Sequence, residues 1–149
     1  MGGSEVRATS APAKPLPVAS PESAPFWRAA KEHRLLLPHC NKCGGLWYPP
    51  SLRCMRCLSD DTGWIEASGK AKIHSFVTFH RLYHPAFAGE LPYVVAVAEL
   101  AEGPRLLTNI VGIPADEVRC GMPVSVVFDD VSAEIAIPKF APSGAPARA

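Results

Sequence analysis

Past residue 61 the chain alternates between short apolar runs and breaks. The runs "WIEASGKAKIHSFVTFHR", "PYVVAVAEL", "RLLTNIVGI", "MPVSVVFDD" and "AEIAIPKF" are β-branched and aromatic, and Gly, Pro and acidic turns separate them, which is the pattern of short strands. Five strands in sequence order with no long helix between them predict a compact OB-fold barrel and not a parallel sheet. One strand departs from alternation. "VVAVA", Val94 to Ala98, is apolar on both faces, so its outer side requires a cover, either the N-terminal part of this chain or another subunit.

Upstream the period changes. In "SAPFWRAAKEHRLLL", Ser23 is placed to cap a helix, Pro25 suits its first turn, and Ala29, Ala30, Lys31 and Glu32 favour helix. The spacing predicts a short amphipathic helix from about Pro25 to His33, packing Phe26, Trp27 and Ala30. Residues 1–24 mix Pro, Ala and Ser with few large apolar groups, and 141–149 read the same way; such segments bury too little to offset the entropy of ordering. The expected organisation is mainly β: a disordered tail over 1–24, an N-terminal helix and cysteine module over 25–66, a five-stranded OB-fold barrel over 67–140, and a second tail over 141–149.

The cysteine module carries the strongest motif. Cys40, Cys43, Cys54 and Cys57 form C-x2-C, ten residues, C-x2-C. Two residues between cysteines let both sulfurs of a knuckle face one ion, and two knuckles complete a tetrahedron. Gly44 follows the first pair, where the chain turns sharply, and the second knuckle, "CMRCL", has no such glycine. Four sulfurs leave a bound zinc no open position for water or substrate, so one structural Zn2+ per chain is expected and not a Lewis acid. A rubredoxin-type iron site would use the same ligands, but no redox feature accompanies them here. Four thiolates around a divalent ion leave about −2 of charge, which Lys42, Arg53 and Arg56 are close enough in sequence to offset; the sharper role for those three is phosphate binding.

Composition narrows the function classes. The 149 residues are 48% hydrophobic and 19% charged with a net charge of +1, a globular balance without the basic excess that drives nucleic-acid binding. Two CxxC pairs and a single Cys120 suit a reducing compartment, and no segment reads as a signal peptide or membrane span, so a cytoplasmic location is expected. No phosphate loop, G-x-S-x-G elbow or H-E-x-x-H is present, so no catalytic residue is assigned. "FHRLYHPAFAGELPY" is unusual in another way. His80, Tyr83, His84, Phe87 and Tyr93 place aromatic rings in a connection that is normally polar, which marks a candidate binding loop.

With these segments in view, the chain resembles a family of small proteins that join a rubredoxin-like zinc ribbon to an OB-fold and accompany enzymes of acyl-CoA metabolism. The resemblance rests on "FWRAAKEHRLLLPHCNKCGGLWYPPSLRCMRC", "GKAKIHSFVTFHR", "HPAFAGELPYVVAVAELAEGPRLLTNIVG" and "GMPVSVVFDD" in that order. It implies a non-catalytic accessory subunit in a hetero-oligomer with a thiolase-like enzyme (thiolase, acyltransferase or aldolase), helping to form the passage for acyl-CoA. The family's four cysteines correspond to Cys40, Cys43, Cys54 and Cys57. Contact of Lys42, Arg53, Arg56, His80, Tyr83, His84, Phe87 and Tyr93 with the partner or with acyl-CoA is an expectation from the residues themselves. The alternative is a zinc-ribbon and OB-fold module for RNA or single-stranded DNA, using Lys72, His74, Phe76 and His80 as an outward face. A free-standing thioesterase is the weakest reading, since no nucleophile and base pair is identifiable.

Overall fold

The computed structural model describes residues 13–144. The fold is mainly β, with one helix, α1 (Ala24–Lys31), a two-stranded ribbon of β1 (Leu36–Cys40) and β2 (Thr62–Glu66), and a closed barrel. The barrel strands are β3 (Lys70–Phe79), β4 (Tyr93–Leu100), β5 (Arg105–Ile110), β6 (Pro123–Asp130) and β7 (Ala136–Pro142), closed in the order β3-β4-β5-β7-β6. That is the five-stranded Greek-key closure of an OB-fold.

Closure at β5 and β7 is narrow. These strands run parallel and pair only at Ile110 and Phe140. One step back the ladder would continue through Pro138, which has no N–H to donate. Thr108 takes over there, its hydroxyl donating to the Pro138 carbonyl at 3.1 Å, and it is the buried polar residue of the core. Ile73, Ala96, Leu100, Leu106, Val118, Val124 and Phe140 fill the barrel, and Phe26, Leu35 and Leu37 extend the same core to the helix and ribbon.

The helix forms over Ala24–Lys31 and not to His33, and it buries Phe26 and Ala30 as expected with Ala29 beside them, while Trp27 is only half-buried, edge-on to Phe26 at 5.1 Å. Ser23 is not a side-chain cap: its hydroxyl turns back to accept from the Ser20 N–H at 2.9 Å. The C-terminal end is better defined. His33 takes a left-handed φ of 58°, His33 N–H bonds the Ala30 carbonyl, and Arg34 N–H reaches the Ala29 carbonyl, which is a Schellman closure with histidine where glycine is usual. Its ring is held by stacking on Phe128 at 5.3 Å and by Asp130 at 2.8 Å, and Lys31 reaches the same carboxylate at 2.6 Å.

One expected strand run splits, and the C-terminal end of the barrel extends. The run beginning at Trp64 is not one barrel strand: Thr62–Glu66 pairs with β1, and the chain breaks at Ala67 to Gly69 before β3 begins. Ala67 is buried and donates to the Leu35 carbonyl, while Gly69 has φ +74° and would place a Cβ 2.5 Å from Val126 Cγ1. At the other end β7 continues to Pro142, pairing Ala141 and Pro142 with β6. Residues 13–19 are extended and largely exposed; the remainder of the two expected tails, 1–12 and 145–149, lies outside the described residues.

Candidate metal centre and exposed faces

The register of β1 on β2, which ends with Cys40 opposite Thr62, closes the chain between them into a loop carrying both knuckles. Each knuckle has the same backbone. Gly44 N–H bonds the Cys40 carbonyl and Cys40 N–H bonds the Gly45 carbonyl; Leu58 N–H bonds the Cys54 carbonyl and Cys54 N–H bonds the Ser59 carbonyl. Both turns require a left-handed residue, Gly44 at φ +68° and Leu58 at φ +60°. For leucine this conformation costs about 1–2 kcal/mol. Trp47 supports the second knuckle: its indole N–H donates to Ser51 Oγ at 3.0 Å, and that hydroxyl donates to the Arg53 carbonyl at 2.8 Å. Cys40, Trp47 and Cys54 form a small buried cluster of their own.

The four sulfurs lie within 4.8 Å of one another, with Cys40 to Cys57 and Cys43 to Cys54 each at 3.6 Å. A tetrahedral zinc with bonds of about 2.3 Å puts its sulfurs about 3.8 Å apart, so the set fits that ion. The thiols are unequal. N–H donation from Cys57, opposed by burial and joined by Arg56 N–H at 3.3 Å, lowers Cys54 to about 6. At Cys43 the Gly45 N–H pulls downward, but Cys54, burial and the other two thiols outweigh it and raise the group to about 11. Four such sulfurs become thiolates together only around a cation.

Lys42, Arg53 and Arg56 are exposed and hold no ion pair among the described residues. Arg56 lies across Gly45, where a Cβ would stand 2.9 Å from its Cδ and 3.3 Å from Cys43 Sγ.

The aromatic loop is the β3–β4 connection. Phe79 stacks on Tyr93 at 5.1 Å, Tyr83 meets the edge of Phe79 at 5.8 Å, and Phe87 sits between Tyr93 and His84, each at 6.0 Å. The Nδ1 of His84 accepts from Ala86 N–H and caps a 3-10 turn over Pro85–Phe87. The structure thus separates the residues: Phe87, Tyr93 and His84 are half-buried in the loop's own cluster, while Tyr83 is 70% exposed. Exposed His80 lies apart from them, beside Thr78, Pro92, Ile113 and Asp116 on an open groove of about 420 Å3.

The outer face of β4 is not covered by the helix or the cysteine module. α1 packs on β7, β1 and β6, and Val95 and Val97 remain half-exposed beside the exposed Val77 and Leu107 on the flanking strands. A β-bulge between Ile73 and Ser75 determines which residues join this face. It turns Phe76 in against the core, so Lys72, His74 and Phe76 do not share one outward face. Lys72 and Arg105 also share one carboxylate, pairing with Glu99 at 3.1 and 3.0 Å, and His74 lies 3.8 Å from it. No described helix is long and apolar enough to cross a membrane.

A four-cysteine ribbon joined to a five-stranded OB barrel defines a zinc-ribbon and OB-fold protein. Comparison with known proteins places it further. Residues 27–63 match the ChsH2 rubredoxin-like zinc ribbon domain and residues 64–129 the ChsH2 C-terminal OB-fold domain. A chain of the Ltp2-ChsH2(DUF35) aldolase superposes with a TM-score of 0.79 at 40% identity, covering 86% of this chain and 99% of that one. A DUF35 domain-containing scaffold protein of Methanocaldococcus jannaschii is 34% identical over 104 residues, 68% of this chain and 73% of that protein. A probable enoyl-CoA hydratase alpha subunit of Thermomonospora curvata is 40% identical over 130 residues, 87% of this chain but only 40% of that longer protein. The chain belongs to the ChsH2-like DUF35 family.

Leu52, Met55 and Leu58, exposed by 71%, 63% and 69% around the second knuckle, and the supporting Trp47 and Ser51 were not among the residues singled out by sequence. Their only signal was composition, three large apolar residues within the otherwise polar 51–58.

Proposed function

We propose that this chain is a non-catalytic accessory subunit of an acyl-CoA enzyme complex. It holds one structural zinc and docks on a thiolase-like enzyme through the outer face of β3–β5 and the adjoining Tyr83. The observation that carries this reading is the uncovered apolar strip of Val77, Val95, Val97 and Leu107 on rigid barrel strands, which this chain's own helix and ribbon leave open. Such a strip, continued by an exposed tyrosine, is the make-up of a protein interface core. The groove beside His80 is of ligand-pocket size and opens near the same loop, which supports a share in the acyl-CoA passage. The names of its relatives, an aldolase complex and a hydratase subunit, point to the same metabolism.

The test uses the Ltp2 protein of the aldolase complex as partner. The purified chain alone is expected to turn over no acyl-CoA, and to form a hetero-oligomer with Ltp2. Tyr83→Ala should weaken that association by about 2 kcal/mol or more at an unchanged melting temperature. Phe87→Ala, in the loop's own cluster, should also lower stability. Turnover by the chain alone, or full affinity in folded Tyr83→Ala, refutes the assignment. Binding to mixed oligonucleotides with a steep negative salt slope would establish the nucleic-acid reading instead.

A further inference from the structure

The two knuckles share one backbone, yet only the second uses a side chain at its left-handed position. Leu58 stands where Gly44 stands in the first, with φ +60°, and its side chain is 69% exposed. A strained leucine that buries little in its own chain presents its side chain to something outside it. Its surroundings agree. Leu52 and Met55 are exposed within the same short stretch, and Leu52 also lines a shallow cleft of about 140 Å3 with Pro21, Pro25, Pro38 and Trp64. Interleaved with them are Arg53 and Arg56, and Lys42 follows the first cysteine. These three hold no carboxylate among the described residues, as is also true of Arg28, Lys70, Arg81 and Arg119, but only these three lie in or beside the cysteine knuckles with the exposed Leu52, Met55 and Leu58. The nearby Asp61 is taken by Asn41 at 2.8 Å.

We propose that residues 52–58 of the second knuckle form a separate docking face that seats Leu52, Met55 and Leu58 in an apolar depression rimmed by carboxylates on the partner enzyme. The proposal rests on the subunit reading for its choice of partner. The occupant follows from charge: a second copy of this patch would set arginine against arginine, and single-stranded nucleic acid would call for stacking rings where this face offers aliphatic side chains. An acidic and apolar protein surface satisfies both components. It also gives the ribbon a role beyond holding itself together, because the metal fixes the presented turn.

The experiment measures binding of the metal-loaded chain to Ltp2 for wild type, Leu58→Gly and Arg53→Glu/Arg56→Glu, with melting temperature and metal content for each. Leu58→Gly should keep its metal and melt no lower than wild type, because the left-handed strain is relieved, yet bind at least tenfold more weakly. The charge reversal should slow association and reduce its salt dependence. Wild-type affinity in both variants overturns this inference and leaves the subunit reading standing. A lower melting temperature with unchanged affinity in Leu58→Gly also overturns it, since the leucine then serves its own fold. Self-association of wild type that Leu58→Gly abolishes, or salt-steep oligonucleotide binding that the charge reversal abolishes, overturns it in favour of a second copy or a nucleic acid. Failure of wild type to bind Ltp2 at all removes the subunit reading and this inference with it.

Discussion

Removing the metal should open the ribbon and leave the barrel standing. The perturbation is chelation, or Cys54→Ser, which deletes a buried thiol that N–H donation from Cys57 lowers. The ribbon's own buried cluster is Cys40, Trp47 and Cys54, so Trp47 is its one large apolar burial, worth about 4–6 kcal/mol for a side chain of 150–250 Å2. A structural zinc contributes on the order of 10 kcal/mol. The metal is the larger contribution, and without it the knuckle turns, including the strained one at Leu58, lose their constraint. The barrel has a different support, since Leu35 and Leu37 anchor β1 in the main core with Phe140 and Ile73. Metal analysis should find zinc. Chelation should red-shift the emission of Trp47, and calorimetry should show a surviving barrel transition. Unchanged Trp47 emission in metal-free protein, or loss of the barrel together with the ribbon, refutes this reasoning, and iron in the purified protein refutes the choice of metal.

Other perturbations address single joints of the fold. Gly69→Ala should destabilise the chain by about 2–4 kcal/mol in a denaturant titration, because it combines a left-handed φ with a Cβ 2.5 Å from Val126 Cγ1. Thr108→Val should cost about 1–2 kcal/mol by leaving the Pro138 carbonyl unpaired at the barrel seam, and Thr108→Ser should restore most of it. Asp130 is held below its ordinary value by Lys31 first and by His33 second. A depressed carboxyl contributes stability that is fully present above the unfolded-state value near 4 and is lost as pH falls through the lower folded-state value. Asp130→Asn should therefore flatten the acid limb of a melting-temperature profile below about pH 4, and an unchanged limb would count against the Lys31 and His33 contacts.

The features legible in the sequence are those fixed by local spacing. Cys40, Cys43, Cys54 and Cys57 announce their geometry because each knuckle is complete within five residues, and the barrel strands show through their β-branched runs, such as Val94 to Ala98. What was not legible depends on partners far along the chain. Nothing near Trp64 says that the run it begins splits into two strands; the break is set by Ala67 reaching Leu35 and Gly69 passing under Val126. The bulge at Ile73 and Ser75 similarly turns Phe76 inward against the alternation that its neighbours suggest. Ser23 has the right residue type for a cap, but Ser20 competes for its hydroxyl.

The bulge also explains how one strand serves two surfaces. Before it, Lys72 and His74 face Glu99 with Arg105, a polar network in which both cations already share one carboxylate within the chain. After it, Val77 lies opposite Val95 and Phe79 opposite Tyr93, an apolar strip leading to the aromatic loop. Charges already paired cost desolvation without offering a new pair, so a docking enzyme gains more from the second half of the strand than from the first. On the docking proposed above, the contact would lie toward Tyr83 and the groove at His80, and away from Lys72. The zinc knuckle, with its unmatched arginines, offers the opposite chemistry. A partner that met both faces would be oriented by two unlike contacts, one apolar and one charged, and two such contacts fix a direction that either alone would leave open.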